Sequence, residues 1–282
     1  MPEGVECLIV AEGVQRWMAD LDLEQRGSVK FELREIFDPV VVRFSPILFD
    51  DFNECYGNVD YRKISTFGKT IFIPADNEFC MAAQLGMAGS FSNLRSKHSR
   101  VEFQHREHSL FFNDMRKFGS LTLFKKSKLP RNMPNLLKHS IDWRNKNAPR
   151  LLAVRALKRD RWRNADIKSL ILNQQIIAGI GNIYACESLH AAKIDPRTEV
   201  KNLSREQLIN IVEKCQSLMW RSHALGGMSI HTFESFGQRG SAKRLLRVYD
   251  KHGTICPTCK SGFIQRIYQN LRPTFYCPIC QI

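Results

Sequence analysis

Residues 256–280 read CPTCKSGFIQRIYQNLRPTFYCPIC, and this stretch specifies how the end of the chain folds. Cys256 and Cys259 form one C-x-x-C pair, and Cys277 and Cys280 form a second pair after 17 intervening residues. Two such knuckles supply four thiolates, which complete a tetrahedral shell around Zn²⁺ and leave no position for water. The pattern therefore predicts one structural zinc ion, with a redox dithiol as the alternative.

The segment between the two cysteine pairs is rich in β-type residues and predicts a hairpin. Arg266 and Arg272 lie in it beside aromatic residues, which indicates that this finger presents cations to a phosphate backbone. The remaining cysteines stand among apolar neighbours, so we expect buried free thiols. They are Cys7, Cys55, Cys80, Cys186 and Cys215.

Upstream of the finger the chain has helical periodicity. The segments ADIKSLILNQQ, GNIYACESLHAAK and SREQLINIVEKCQSLMWRSHA each carry apolar residues at helical spacing, and the last begins with a capping pattern. In NQQIIAGIGNIYACESL, residues 173–189, two glycines precede Asn182 at the expected start of a helix. Free N–H groups at a helix start can bind phosphate, although a glycine pair before a helix is more often only a tight packing turn.

The first half of the chain predicts a different architecture. Apolar residues between Val5 and Met18 recur at near-helical spacing, which predicts one helix close to the N-terminus. Residues 29–124 contain short β-branched and aromatic runs separated by turn residues, which is typical of a β-sandwich or barrel. Residues 125–150 are rich in Lys, Pro and Asn, and we interpret them as a connection between domains.

The charge of the chain is unevenly distributed. The formal net charge is +14, yet residues 1–60 hold 5 Lys/Arg against 13 Asp/Glu, whereas residues 125–168 hold 14 against 3. Clustered cations gain affinity for phosphates by releasing condensed counterions, so the basic regions predict a nucleic-acid partner. A merely soluble basic surface is the alternative.

No apolar stretch is long enough for a membrane helix, and the acidic N-terminus lacks the features of a signal peptide. We therefore expect an intracellular protein that needs no membrane.

Several short motifs, in this order and spacing, resemble the formamidopyrimidine-DNA glycosylase and endonuclease VIII family of base-excision repair enzymes. They are MPEGVE, STFGKTIFI, QLGMAGS, NDMRKFG, AGIGNIYACESL, GGMSIHTF and LRPTFYCPICQ. The resemblance implies an α+β multidomain protein. Its expected parts are a two-layer β-sandwich catalytic domain with flanking helices over residues 1–130, a linker over 131–150, a helix-two-turn-helix domain over 151–250 and a zinc finger over 251–282.

The resemblance also assigns a chemical role to the first residues. Once Met1 is removed, Pro2 presents a secondary amine that can attack the sugar C1′ of a damaged nucleotide and form an iminium adduct. An α-amino group has a pKa near 7.7–8.0, so a large fraction is unprotonated at neutral pH. Glu3 would transfer protons and Glu6 would hold the reacting site. Without Pro2, both carboxylates would be read as complements of the helix dipole.

Three further residues correspond to phosphate contacts of the family. Lys69 corresponds to a lysine on a β-strand that contacts the phosphates beside the lesion and assists catalysis; a solvated strand charge is the alternative. Asn182 on the helical turn and Arg272 on the finger hairpin correspond to residues that grip the backbone. Together they would help to rotate the target nucleotide out of the stack.

The resemblance places Met87, Arg116 and Phe118 in the void that the rotated base leaves. Methionine and phenylalanine can wedge between bases, and arginine can bond to the unpaired base opposite. Without the family, Met87 and Phe118 would be expected in the core. The implied partner is therefore damaged double-stranded DNA, bound by a monomer.

The expected reaction is excision of oxidised bases, with cleavage of the resulting abasic site by β,δ-elimination. The cues on the lesion disagree. Gly4 resembles the endonuclease VIII branch, which removes oxidised pyrimidines, whereas the length of FESFGQRGSAKRLLRVYDKHG resembles the branch that removes 8-oxoguanine and formamidopyrimidines. His231 replaces a lysine of that second branch, Ser241 and Ala242 replace bulkier residues, and Val5 replaces a second proline. Oxidised purines are slightly favoured.

Two other classes remain as alternatives. A damaged-DNA or chromatin-binding protein without activity would be favoured if the amine of Pro2 were blocked. A zinc-ribbon RNA-binding protein would bind single strands on aromatic platforms and would need neither Glu3 nor Glu6.

Overall fold

The computed structural model describes residues 2–22, 27–38, 41–44, 52–130, 133–228 and 236–282. The chain divides into two compact units, the first formed by Met1–Pro134 with Leu225–Ser241 and the second by Asn135–Ala224 with Ala242–Ile282.

The first unit begins with a long helix and continues as strands. Its elements are α1 Gly4–Leu21, β1 Glu32–Ile36, β2 Val42–Phe44, α2 Phe52–Cys55, β3 Ser65–Phe67, β4 Thr70–Pro74, β5 Phe79–Gln84, β6 Gly89–Ser92, β7 Ser99–His105, β8 His108–Asp114 and β9 Ser120–Lys125, with a 3₁₀ turn at Tyr61–Lys63. This order confirms the N-terminal helix and the β-rich first half that the sequence predicts.

The strands form a β-sandwich. One sheet has the order β2-β9-β5-β4-β3 and the other has the order β1-β7-β8-β6. Neighbouring strands are antiparallel except for β2 and β9, which run parallel. Side chains from both sheets, such as Ile71 and Phe112, share one apolar cluster with Val10 and Val14 of α1. The apolar stripe of α1 therefore fastens the N-terminus to the sandwich.

Residues Leu225–Ser241 belong to the first unit, whereas we expected them in the C-terminal domain. The reason is a set of contacts between residues that are far apart in the sequence. The N–H group of Met228 donates to a carboxylate oxygen of Glu6 at 2.9 Å, and Phe236 packs against Trp17 with ring centroids 6.4 Å apart. The two ends of the segment also meet, since the N–H group of Ser241 donates to the carbonyl oxygen of Leu225 at 2.7 Å.

The second unit is mainly helical. After α3 Met133–His139, which lies at the boundary, come β10 Ile141–Asp142, α4 Ala148–Lys158, α5 Asp160–Arg163, α6 Ile167–Leu172, β11 Ile177–Ala178, α7 Asn182–Ala192, α8 Arg205–Ala224, β12 Gln265–Gln269 and β13 Arg272–Tyr276, with 3₁₀ turns at Val200–Asn202 and Ala242–Leu245. The hairpin β12-β13 confirms the expected finger loop.

The expected linker over 131–150 is in part regular structure. Within it β10 pairs in parallel with β11, and the buried Trp143 packs against Trp220 of α8 with tilted rings at a centroid distance of 4.9 Å. The high content of Lys, Pro and Asn in this segment led to the linker prediction, although the segment also contains the apolar residues that form these contacts. No helix in the described ranges is long and apolar enough to cross a membrane.

Candidate functional site

Pro2 and Glu3 lie directly before α1, and both are buried. Glu3 is the N-cap residue in extended conformation, and the helix begins with a reciprocal capping box. The N–H group of Glu3 donates to Glu6 Oε2 at 2.8 Å, while the carboxylate of Glu3 accepts from the N–H group of Glu6. Because these bonds satisfy N–H groups at the helix start, they fix the conformation of Glu3, which directly follows Pro2.

Glu6 connects α1 to the segment around Gly227. Its second oxygen, Oε1, accepts the N–H group of Met228 at 2.9 Å. Gly227 has φ +88°, and a Cβ there would lie 3.0 Å from Ile9 Cδ1 and 3.3 Å from Glu6 Oε1, so only glycine fits this approach. Glu6 therefore links the start of α1 to the backbone of Met228.

Lys69 lies in the two-residue turn between β3 and β4, and not on a strand as expected. The turn faces the start of α1, because the thiol of Cys7 donates to the carbonyl oxygen of Lys69 at 3.4 Å. Burial, then the charge of Glu6, raises the pKa of Cys7, and the nearby ammonium of Lys69 opposes this shift. Cys7 is therefore a neutral thiol and does not act as a thiolate nucleophile.

Met87, Arg116 and Phe118 lie in two neighbouring loops of the first unit. Met87 is 38% exposed and Phe118 is 60% exposed, which excludes the alternative of core residues. The Arg116 guanidinium lies 5.2 Å from the centre of the Phe118 ring. A Cβ on Gly86 would lie 2.5 Å from the carbonyl carbon of Phe118, so the glycine allows the two loops to touch.

Asp114 organises the Arg116–Phe118 loop and was not singled out from the sequence. It is fully buried, and its carboxylate accepts the N–H groups of Arg116 at 3.0 Å and Gly119 at 2.7 Å. The sequence signal for this role is an aspartate followed by a glycine five residues later, because aspartate side chains often accept the N–H groups of a turn.

In the second unit, α7 begins at Asn182 as the sequence predicts. The side-chain amide of Asn182 donates to the carbonyl oxygen of Pro273 at 2.8 Å, directly beside Arg272 at the start of β13. Gly179 has φ +109°, and a Cβ there would lie 2.2 Å from Trp143 Cδ1. The glycine therefore serves tight packing, and this packing sets where the helix start lies.

Lys168 of α6 is a functional candidate that the sequence analysis missed. It is buried, and its ammonium donates to Thr274 Oγ1 and, at 3.4 Å, to the carbonyl oxygen of Pro273. Burial lowers its pKa, and the nearby Arg272 acts in the same direction. Its place among apolar residues in ADIKSLIL was the available signal. Lys168 and Asn182 together position the strand that carries Arg272.

The four knuckle cysteines form one cluster in which all sulfur atoms lie within 4.8 Å of one another. The Sγ atoms of Cys256 and Cys280 are 3.7 Å apart, as are those of Cys259 and Cys277. A tetrahedron with metal–sulfur bonds of about 2.3 Å has an edge of about 3.8 Å. Four thiolates at this spacing repel one another, and a bound cation would offset that repulsion.

The expected residues thus fall into two groups. In the first unit, Pro2, Glu3 and Glu6 lie at the start of α1 beside the turn of Lys69, and the loops of Met87, Arg116 and Phe118 touch. In the second unit, the side chain of Asn182 is bonded to the residue after Arg272, and the four cysteines form one cluster. His231 lies outside the described residues.

Comparisons with known proteins match both units. A model of the formamidopyrimidine-DNA glycosylase N-terminal domain matches residues 1–121, and a model of the formamidopyrimidine-DNA glycosylase H2TH domain matches residues 147–234. The formamidopyrimidine-DNA glycosylase of Bacillus cereus is 32% identical over 82% of this chain and 84% of its own length. That of Rickettsia conorii is 31% identical over 79% of this chain and 82% of its own length.

Solved structures agree with the sequence relatives. A complex of inhibited LlFpg with DNA containing N7-benzyl-Fapy-dG has a TM-score of 0.81 and 26% identity, covering 99% of both chains. Wild-type Lactococcus lactis Fpg (MutM) with DNA containing an oxidised pyrimidine has a TM-score of 0.79 and 25% identity, again covering 99% of both chains. Two family models and relatives of 31–32% identity match this chain, which therefore belongs to the formamidopyrimidine-DNA glycosylase and endonuclease VIII family.

Proposed function

We propose that the protein is a DNA glycosylase that removes oxidised bases from duplex DNA and then cleaves the abasic site. The observation that carries the proposal is the capping box that holds Pro2 and Glu3, both buried, at the start of α1. The family relatives, which are named as glycosylases and solved with damaged DNA, support the same reaction class.

The proposed chemistry begins after removal of Met1. The unprotonated nitrogen of Pro2 attacks C1′ of the damaged nucleotide, and the bond from C1′ to the base breaks with its electron pair on the base. The Pro2 nitrogen then gives up its N–H proton, and the departing base takes up one proton. Glu3 protonates the sugar ring oxygen as the ring opens and the iminium forms. The iminium acidifies the C2′ protons, so β-elimination and then δ-elimination release the phosphates on the two sides of the lost base.

In this proposal the DNA backbone is bound by Lys69, Asn182 and Arg272. The support is their setting: Lys69 lies beside the start of α1, and the side chain of Asn182 is bonded to the residue that follows Arg272. Phosphate contacts of this kind position a duplex and supply energy to rotate a nucleotide out of the stack, which costs a few kcal/mol.

In this proposal, Met87, Arg116 and Phe118 fill the void that the rotated base leaves in the duplex. Their exposure on two touching loops fits insertion into the void, with Arg116 free to bond to the base opposite. We therefore propose double-stranded DNA as the substrate and a monomer as the active form.

We propose that Cys256, Cys259, Cys277 and Cys280 hold one zinc ion. The sulfur spacing fits a tetrahedral shell, and zinc would supply structural stability there, since four sulfur ligands leave no exchangeable position. The chain's own contribution is to shape the knuckles: the N–H groups of Gly262 and Cys280 donate to Cys259 Sγ and Cys277 Sγ, each at 3.4 Å.

The proposed lesion is an oxidised purine, with oxidised pyrimidines as the second candidate. The similar Lactococcus structures contain DNA of both kinds, a formamidopyrimidine derivative in one and an oxidised pyrimidine in the other. Both lesion classes therefore belong in the first assay.

The decisive experiment is borohydride trapping. The purified protein is mixed with labelled duplexes that hold 8-oxoguanine, an oxidised pyrimidine or an abasic site, reduced, and digested to map the cross-linked peptide. We expect an adduct on Pro2 with all three duplexes, a higher yield from the purine lesion than from the pyrimidine, and none from undamaged DNA. No adduct in protein shown to lack Met1 would favour a DNA-binding protein without activity, and an adduct on Lys69 would reassign the nucleophile.

A further inference from the structure

His190 lies two residues before the end of α7 and is almost fully buried, with 5% of its surface exposed. None of the proposed catalytic or DNA contacts uses it. Its ring nitrogen Nε2 lies 3.5 Å from Cys256 Sγ, which is hydrogen-bond distance for a sulfur acceptor. The imidazole therefore touches the cysteine cluster from the adjoining helix.

The chemistry of the cluster assigns the direction of this bond. A metal-bound cysteine is a thiolate and carries no proton, so its sulfur can only accept. The proton in the contact must then belong to Nε2, which fixes the tautomer of His190 whenever the cluster holds a metal ion.

Cys256 is the sulfur that needs such a donor. It is completely buried and lies in an apolar cluster with Cys186, Val248, Ile264 and Phe275. A thiolate in apolar surroundings is costly unless N–H groups bond to it. Cys259 and Cys277 each accept a backbone N–H group from their own knuckle, whereas the donor to Cys256 comes from α7.

We propose that His190 is a positioning residue of the cysteine cluster, whose Nε2–H group donates to the Cys256 thiolate and secures the metal-loaded finger to α7. The inference rests on the proposed metal site and adds a residue to it. It also gives α7 two functions, since Asn182 begins the same helix eight residues, or about 12 Å, from His190. The bond would thus keep the finger that carries Arg272 in register with the helix that carries Asn182.

The test compares His190→Phe, which keeps a ring but removes the donor, with His190→Gln, which retains an N–H donor. The full-length proteins are loaded with zinc, and metal release to a chromogenic chelator is timed. Loss of a hydrogen bond to a metal ligand typically weakens metal binding by about 10–100-fold, so we expect release from His190→Phe to be faster by that factor. His190→Gln should remain within a few-fold of wild type.

A spectroscopic readout separates the hydrogen bond from packing. With cobalt in place of zinc, the sulfur-to-metal charge-transfer band should move to longer wavelength in His190→Phe, because a thiolate without its donor gives up an electron more easily. Val248→Ala is the matched control: it removes packing from the same apolar cluster and should leave the band unchanged.

An unchanged release rate and band in His190→Phe would overturn the inference. So would His190→Gln behaving like His190→Phe, including the case in which neither variant takes up metal. Wild-type protein that binds no metal would overturn the proposed zinc site together with this inference, whereas metal-loaded wild type with no difference between variants would overturn this inference alone.

Discussion

Glu187 of α7 is a buried carboxylate that accepts three backbone N–H groups. Its Oε2 accepts the N–H group of Arg247 at 2.8 Å, and its Oε1 accepts those of Val248 at 2.9 Å and Tyr249 at 2.7 Å. Val248 and Tyr249 lead into the cluster that holds the knuckle cysteines. Replacing Glu187 should therefore loosen the attachment of the finger.

The substitution Glu187→Gln preserves shape and removes one acceptor. The remaining amide oxygen can accept from Val248 and Tyr249, but the new NH₂ group then faces the N–H group of Arg247. A buried donor without a partner costs about 1–3 kcal/mol. At roughly 4 °C per kcal/mol for a unit of this size, the melting temperature of the second unit should fall by about 4–12 °C.

The pH dependence provides a second check. Burial raises the pKa of Glu187, although the three N–H groups and Lys251 act in the opposite direction. A raised folded-state pKa means that its stabilising contribution is complete below the unfolded value, near 4.3, and is lost as pH rises through the folded value. Glutamine does not titrate, so the stability gap between wild type and variant should narrow from pH 4.5 to pH 8.

The assay is thermal unfolding of the metal-loaded proteins, followed by tryptophan fluorescence, since Trp143, Trp162 and Trp220 all lie in the second unit. Glu213→Gln, at an exposed position of α8, is the matched control and should change little. The reasoning is refuted if Glu187→Gln has the same melting temperature as wild type at both pH values. It is also refuted if the difference between the two melting temperatures increases as pH rises.

Three further outcomes are expected. Pro2→Gly should bind damaged duplex nearly as wild type does but lose most base release, measured by gel shift and by single-turnover excision; normal turnover would reject Pro2 as the nucleophile. Glu3→Gln should slow excision of an intact damaged base by about 10²–10⁴-fold and cleavage of a preformed abasic site by less, because proton transfer is its role; equal rates on both substrates would contradict that role. Removal of the metal by a chelator should unfold the finger and weaken DNA binding steeply, because structural zinc contributes about 10–16 kcal/mol of binding energy coupled to folding; active protein without metal would oppose this.

Local patterns in the sequence predicted the features that depend on neighbouring residues. The spacing of the cysteines predicted a four-sulfur cluster, the glycines before Asn182 predicted the start of α7, and the residues after Cys259 predicted a hairpin. In each case the deciding interaction joins residues close in the chain, so periodicity and spacing contain the information.

The features that were not predicted depend on contacts between distant residues. Lys168 reaches Thr274 across 106 positions, and His190 reaches Cys256 across 66. Lys69 was expected on a strand, but the preceding Gly68, at φ +57°, favours the tight turn in which it lies. Buried polar residues that pair over such separations leave no periodic signal, and only the folded chain shows their partners.

The bond between Glu6 and Met228 has a consequence for the order of synthesis. Its two residues are 222 positions apart, and a ribosome that adds about 5–20 residues per second needs about 11–44 s to make the second after the first. Throughout that interval the nascent chain contains Pro2, Glu3 and Glu6 but not yet the N–H group of Met228. The surroundings of Pro2 and Glu6 are thus completed late in translation, after the helices of the second unit up to α8 have been made.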